Sequence, residues 1–147
     1  EYEPPSEDWW FKVDYDHMRT AFMNIVSNSI KYTPEAGRIT LTSKAEGGFV
    51  SFTVTDTGIG INQEDLPNIF DRFYRVRGKA TRNIIGSGLG LSLVKEVVTA
   101  HQGYVDVKST PGEGTRVSLT FPQLSRKNSE REENMSGVST MPQAMLS

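Results

Sequence analysis

The sequence contains no cysteine among its 147 residues. Disulfides, thiolate metal ligands and a cysteine nucleophile are therefore excluded, and cysteine usage leaves the redox compartment open. No run approaches the roughly 18 apolar residues of a membrane span, and no signal peptide is visible. Charge of one dominant sign is also missing. Sixteen Lys and Arg stand against eighteen Asp and Glu, a net charge of −2, which argues against wholesale binding to nucleic acid or acidic membranes. The first residue is Glu, not Met, and the chain reads as a fragment of a longer one. What remains is 36% hydrophobic and 23% charged, the composition of one soluble globular domain with some polar excess.

That excess sits at the ends. Residues 1–8 (EYEPPSED) are acidic and Pro-rich and read as a linker remnant. Residues 123–147 are polar and aperiodic and are expected to be disordered, with a partner-induced helix as the alternative. The domain between them spans 9–122. Trp9 to Val13 is apolar and β-favouring, which predicts an edge strand, its tryptophans suiting core or interface packing better than a binding platform. From Tyr15 to Tyr32 the period becomes helical, with Met18, Phe22, Ile25 and Val26 on one face, Asp14 as N-cap and Thr33-Pro34 as stop. Strands are predicted over 38–45 and 49–56, joined through Gly47-Gly48 as a tight hairpin.

Asn62 should then cap a short helical segment, with Ile61 and Leu66 as a hydrophobic staple. Pro67 predicts a turn, followed by a second short helix through Phe70 and Phe73. Residues 74–87 have no periodicity and form a long loop, of the kind that is usually functional. A helix over 88–101 presents Leu89, Leu93, Val94, Val97 and Val98, and Gly103 ends it. Strands over 104–109 and 115–121 turn Val105, Val107, Val117, Leu119 and Phe121 inward. Every strand is apolar on one side only, so helices cover a single face. The expected fold is α/β (α+β): a two-layer sandwich with a mixed, mostly antiparallel sheet of about five strands and three main helices on one face.

Three features bear chemistry. In Asp56-Thr57-Gly58-Ile59-Gly60-Ile61, Asp56 continues the inward row of Val50, Phe52 and Val54. A carboxylate there is costly unless donors meet it. Taken alone, the hexapeptide supports equally an acceptor at the floor of a pocket and an ordinary Asp-led turn. The second feature is Gly86-Ser87-Gly88-Leu89-Gly90-Leu91, which opens a helix and so offers free N–H groups and a positive dipole end to phosphate. It is neither a P-loop nor a dinucleotide fingerprint. The loop before it sets Arg72, Arg75, Arg77, Lys79 and Arg82 against the single acid Asp71, which suits a polyanion such as a triphosphate; a solvated charged loop is the alternative. Third, Asn24, Asn28 and Lys31 form one polar stripe on the first helix, where asparagine contributes nothing to helix stability and a plain solvated face would more usually carry Glu, Lys and Gln.

In order, the blocks are NIVSNSIKYTP (24–34), DTGIGI (56–61), IFDRFYR (69–75) and GSGLGL (86–91). Together they resemble the N box, first glycine box, F box and second glycine box of the ATP-binding catalytic domain of sensor histidine kinases. That domain belongs to the superfamily shared with gyrase, a heat-shock chaperone and the MutL mismatch-repair ATPases. The resemblance runs from about Trp9 to Phe121 and implies the Bergerat-type ATP-binding fold, with ATP and Mg²⁺ as ligands.

Residue by residue, the resemblance implies that Asp56 accepts the adenine amino group, with Thr115 supporting it through water. Gly58, Gly60 and Ile61 form the rim of the base site, and Tyr32 lines the nucleoside pocket. Asn28 coordinates Mg²⁺ through its carbonyl oxygen. Asn24 and Lys31 contact the metal–phosphate region, and Arg75 steadies the γ-phosphate. Gly86, Ser87, Gly88, Leu89, Gly90 and Leu91 cradle phosphates, while Phe70 and Phe73 anchor the mobile lid, Phe73 also bordering the nucleotide.

The ATPase branches carry a Glu four residues before the metal-binding Asn, where it activates water; Asn24 stands there and cannot act as a base. The resemblance therefore implies a kinase whose phosphoacceptor histidine lies on a separate dimerisation domain absent from this chain. His17 and His101 read as surface or capping residues, a helix C-terminus favouring His101 when protonated. The implied setting is cytoplasmic, with an inner-membrane anchor as one option for the parent kinase. The implied partners are that histidine domain and, through the parent, a response regulator, with no nucleic acid, no membrane insertion and a monomeric isolated fragment. A regulatory or degenerate ATP-binding module, a self-contained ATPase and a serine kinase of the same superfamily are the alternatives.

Overall fold

Alternation decides the sheet. In the computed structural model the strand Phe49–Asp56 (β3) buries Val50, Val54 and Asp56, half-buries Phe52, and turns Ser51, Thr53 and Thr55 to the opposite face. The structure describes residues 2–3, 9–76, 78, 81 and 86–124. The linker expected at 1–8 falls outside them except for 2–3, as do residues 125–147 of the expected tail, and Arg77, Lys79 and Arg82 of the basic loop.

The elements are β1 (Tyr2–Glu3), α1 (Tyr15–Tyr32), β2 (Ile39–Glu46), β3, α2 (Gly90–Ala100), β4 (Tyr104–Thr110) and β5 (Gly114–Pro122). The sheet order is β1-β2-β3-β5-β4. All neighbours are antiparallel except β1, which runs parallel to β2. Val54 and Val117 are cross-strand partners, and so are Asp56 and Thr115. On the inner face Met18, Ala21 and Ile25 of α1 and Val94, Val97 and Val98 of α2 pack against Val54, Val117, Leu119 and Phe121. The outer face is polar, with hydroxyl pairs Ser51–Thr120 and Thr53–Ser118 at 2.9 Å each. Among the described residues no helix is long and apolar enough to cross a membrane.

Helix α1 begins and ends where the sequence places it. Asp14 caps it by accepting from the His17 N–H at 2.9 Å, and Thr33 returns its N–H to Ser29 O at 3.0 Å. His101, at the end of α2, meets that cap. Its Nε2 accepts the Asp14 N–H at 2.9 Å, so its proton sits on Nδ1, 2.7 Å from Val97 O. It is a capping residue, as expected, and the arrangement does not require it to be protonated on both nitrogens.

Several expectations are corrected. Trp9–Val13 is not the edge strand. Trp10 makes an isolated bridge to Leu124, while Trp9 and Phe11 lie 6.1 and 5.2 Å from the Phe52 ring. These rings cover the inner face, which removes more apolar surface from water than an exposed edge position would. The edge strand is instead Tyr2–Glu3, within the stretch assigned to the linker.

Among the described residues there are two main helices, not three. After β3 the chain makes one 3₁₀ turn, Leu66–Asn68, with Pro67 in its opening residues. No helix follows through Phe70 and Phe73, because Phe73 adopts φ 66°, which a helix does not admit. Helix α2 starts at Gly90 rather than at 88. Leu89 and Leu93 are each 38% exposed, and Ser92 is buried, its hydroxyl returning to Leu89 O. At the far end the left-handed residue is Gln102 (φ 60°), and Gly103 donates its N–H to Val98 O at 2.9 Å.

Candidate functional site

Asp56 is 7% exposed and meets three donors. Its Oδ1 accepts the Gly58 N–H at 3.0 Å and the Thr115 N–H at 3.1 Å, and its Oδ2 accepts the Ser29 hydroxyl at 2.9 Å. Strand β3 brings the carboxylate to the inner face, β5 brings the Thr115 amide opposite it, and α1 lays Ser29 above it. Gly58 must be glycine for this turn, since a Cβ there would lie 2.5 Å from Tyr32 O and 2.9 Å from Asp56 Oδ1. The same turn is strapped to the end of α1 by the Ile59 N–H on Tyr32 O at 3.0 Å.

Around Asp56 opens a cleft. Asn24, Asn28, Lys31 and Tyr32 form its helical wall, and Ser29, Asp56, Thr115, Val107 and Val117 its floor. Ile59, Gly60, Ile61 and Ile69 line it beside the Asp56 turn, and Tyr74, Arg75, Val76, Gly86, Ser87, Gly88, Gly90 and Leu91 complete the lining. The two ends differ chemically. Among the described residues that line it, Asp56 is the only carboxylate, and Lys31 and Arg75 are the cations. Ser29 marks the carboxylate end of α1, and Asn24 marks the end facing α2. Five residues of helix separate them, a rise of about 7.5 Å.

At that second end α2 comes close to α1. A Cβ on Gly90 would lie 2.8 Å from Asn24 Oδ1, so only glycine lets the helix N-terminus approach the asparagine this closely. Asn24 is itself held, its amide donating to Thr20 O at 2.9 Å. The free N–H groups of α2 and its dipole make this end favourable to negative charge.

The four blocks therefore converge, though not every residue chosen from them reaches the cleft. Gly58 stands behind Asp56 and shapes the turn. Leu89 is off the wall, and Phe73 is 72% exposed and does not line the cleft. Phe70 is half-buried, with Lys95 Nζ 5.7 Å from its ring centroid. Thr115 reaches Asp56 through its backbone N–H, and its hydroxyl instead pairs with Ser109 Oγ at 2.9 Å.

The lining residues that were not anticipated include Ser29, Ile69 and Tyr74. Ser29 could have been found, because it lies four residues after Ile25 and seven after Phe22, on the apolar side of α1 where a hydroxyl needs a partner. Tyr74 carries a further bond, its hydroxyl donating to Asp65 Oδ1 at 2.6 Å. That bond to a carboxylate, with burial second, raises the Tyr74 pKa.

Comparison with known proteins agrees with this geometry. The family described as "Histidine kinase-, DNA gyrase B-, and HSP90-like ATPase" matches residues 13–125. The chain is 41% identical over 115 residues to the "Non-motile and phage-resistance protein" of Caulobacter vibrioides, covering 76% of this chain and 14% of that one. It is 37% identical over 131 residues to "Sensor histidine kinase WalK" of Bacillus subtilis, covering 88% of this chain and 21% of that protein. The chain thus spans about a fifth or less of these relatives' lengths.

Among solved structures, the nucleotide-free catalytic domain of histidine kinase ThkA superposes with a TM-score of 0.70 at 26% identity, covering 82% of this chain and 77% of that one. Full-length ShkA in complex with AMPPNP superposes with a TM-score of 0.64 at 32% identity, covering 74% of this chain and 22% of that one. With all four blocks inside the matched residues, the chain belongs to the histidine kinase-, DNA gyrase B- and HSP90-like ATPase family, as an ATP-binding domain of the sensor histidine kinase type.

Proposed function

We propose that this domain, its body taken as residues 9–122 with the strand Tyr2–Glu3 added at the sheet edge, binds Mg-ATP in the cleft. It then transfers the γ-phosphoryl group to a histidine on a separate dimerisation domain of its parent kinase. The observation that carries this reading is the coordination of Asp56. A carboxylate offers about four lone-pair sites, three are filled by Ser29, Gly58 and Thr115, and one remains for a single donor such as the adenine amino group.

From there the ligand runs along α1 toward the N-terminus of α2. Tyr32 flanks the nucleoside, Gly60 and Ile61 border the base, and the amides of Gly86 to Leu91 cradle phosphate, though Leu89 enters through its backbone alone. Lys31 and Arg75 meet the triphosphate charge, with Arg75 at the γ-phosphate.

The donor set also fits magnesium. Asn28 lines the cleft, and no other described residue hydrogen-bonds its amide, so a hard oxygen is available there. No group of three or more His, Cys, Asp or Glu among the described residues could hold a metal, which suits an ion that takes few protein ligands and completes its shell with phosphate and water. When bound, Mg²⁺ would neutralise phosphate charge.

Asn24 sets the branch. Its amide donates to Thr20 O, and it cannot take a proton from water, so the attacking group is the partner's imidazole and ADP is the leaving group. On this reading the domain works on the cytoplasmic side, as a monomer that docks on the histidine domain, and the parent passes phosphate to a response regulator.

The test is to incubate the chain with Mg-ATP, alone and with a purified histidine-hairpin domain from a sensor kinase. Acid-labile phosphate should appear on the hairpin and none on this chain. ATP consumption with no phosphate on the hairpin would favour a hydrolase and overturn the reading.

A further inference from the structure

Arg75 enters the cleft from a stretch of backbone that is unusually constrained. Phe73, immediately before Tyr74, has φ 66°, a conformation that bulky residues adopt only when their surroundings impose it. Its ring does not impose it, being 72% exposed. The constraint comes from two separate neighbours.

On the α2 side the Phe73 N–H donates to Gly88 O at 2.9 Å, and Gly88, itself at φ 73°, lies so close that a Cβ would sit 2.7 Å from Phe73 C. On the first glycine-box side the Tyr74 hydroxyl donates to Asp65 Oδ1 at 2.6 Å, a short charge-assisted bond. Asp65 offers a fixed anchor, because its N–H bonds Asn62 O at 3.0 Å and its carbonyl accepts the Asn68 N–H at 2.9 Å. That turn follows Ile61, whose N–H is held by Ser109 Oγ at 2.8 Å.

We infer that Asp65 and Tyr74 form a latch beside the cleft that fixes the backbone before Arg75 and so sets where Arg75 meets the terminal phosphate. Both are positioning residues, Asp65 acting on Arg75 through Tyr74 and lying off the cleft wall itself. A latch of this kind separates two tasks. The base and the first phosphates are gripped by Asp56 and α2, whatever the loop does. The terminal phosphate is met only if residue 75 is delivered to one place. The inference rests on the proposed reading of Arg75, and the test separates the two.

The affinities of Mg-ATP and Mg-ADP are measured by calorimetry for the chain and for Asp65→Ala, Asp65→Asn, Tyr74→Phe and Arg75→Ala. ADP lacks the γ-phosphate, so the ATP:ADP affinity ratio reports on Arg75, while a general loss of structure lowers both affinities together. Asp65→Ala should leave ADP affinity unchanged and lower the ratio roughly tenfold or more, the worth of one hydrogen bond to a charged group. Tyr74→Phe should lower the ratio similarly. Asp65→Asn keeps an acceptor for the hydroxyl and should restore most of the ratio. Asp65→Ala combined with Arg75→Ala should lose no more than Arg75→Ala alone.

A ratio that falls in Arg75→Ala yet stays put in Asp65→Ala and Tyr74→Phe overturns the latch and spares the reading of Arg75. Equal loss of ATP and ADP affinity in Asp65→Ala overturns it in favour of a purely structural role. A ratio indifferent to Arg75→Ala overturns the γ-phosphate reading and the latch together.

Discussion

A carboxylate enclosed to 7% exposure is stable only if donors replace the water it has lost, and Asp56 draws on three different elements for them. This coordination makes an isosteric change informative. In Asp56→Asn one oxygen must still serve the Gly58 and Thr115 N–H groups, so the new NH₂ points where Ser29 and the ligand amine approach. Ser29 can turn its hydroxyl and accept; an adenine amine cannot. The fold should persist while ATP binding weakens by about 100-fold or more, beyond detection in ordinary calorimetry. Unchanged affinity would remove Asp56 from the base site. The inward position of Asp56 is legible in the sequence, because strand parity alone turns it to the core. Its partners are not. Two of the three donors are backbone amides, which leave no trace in side-chain pattern, and the hydroxyl of Thr115 turns to Ser109 instead. The left-handed Phe73 is equally hidden, since nothing in a Phe-Tyr-Arg triplet announces a positive φ.

At the level of elements, α1 is readable with its caps because several signals agree over 18 residues: apolar period, Asp before it and Thr-Pro after it. Short segments lack that redundancy. The helix expected through Phe70 and Phe73 has two aromatics in its favour, and the left-handed backbone of Phe73 outweighs them. The apolar face of α2 was overcounted in the same way. The sheet it covers buries Val94, Val97 and Val98, and shifting the start to Gly90 leaves Leu89 and Leu93 partly in solvent. The α1 cap also predicts how acid acts on the fold. The His17 backbone N–H, its foremost cause, holds the Asp14 carboxyl below the ordinary carboxylate value. The native state therefore binds this proton less readily than the unfolded chain. The contribution is complete above the unfolded-state pKa of about 3.9 and is lost as pH falls through the lowered native value. Urea titrations of the chain and of Asp14→Ala should show a stability difference near neutrality that shrinks below about pH 4. A difference that persists or grows in acid would show that the Asp14 charge is not what caps α1.

For the molecule as a whole, one-sided strands are enough to predict a two-layer fold, and residues of all four blocks line one cleft. The parallel edge strand was beyond reach, since two residues carry no period. The two-layer arrangement gives the cleft its working asymmetry. Its floor and helical wall belong to the core packing of α1, β3 and β5, whereas one rim holds Tyr74, Arg75, Val76, Gly86, Ser87, Gly88 and Gly90, attached to the body at the Asp65–Tyr74 bond and again where Gly90 meets Asn24. Between those attachments the sequence supplies Arg75, Arg77, Lys79 and Arg82 and no apolar period, so this segment has charge to offer a polyanion and little apolar surface to bury without one. Hydrogen exchange should therefore be fast over 74–87 in the free chain and slow by roughly tenfold or more with saturating ATP and Mg²⁺. Exchange in β3 should change little, because its amides are already paired within the sheet. ADP and Mg²⁺ should protect 74–87 less than ATP does if, as proposed, Arg75 meets the last phosphate. Equal exchange with and without nucleotide would mean that this rim does not close, and that the phosphates are held by α2 and the helical wall alone.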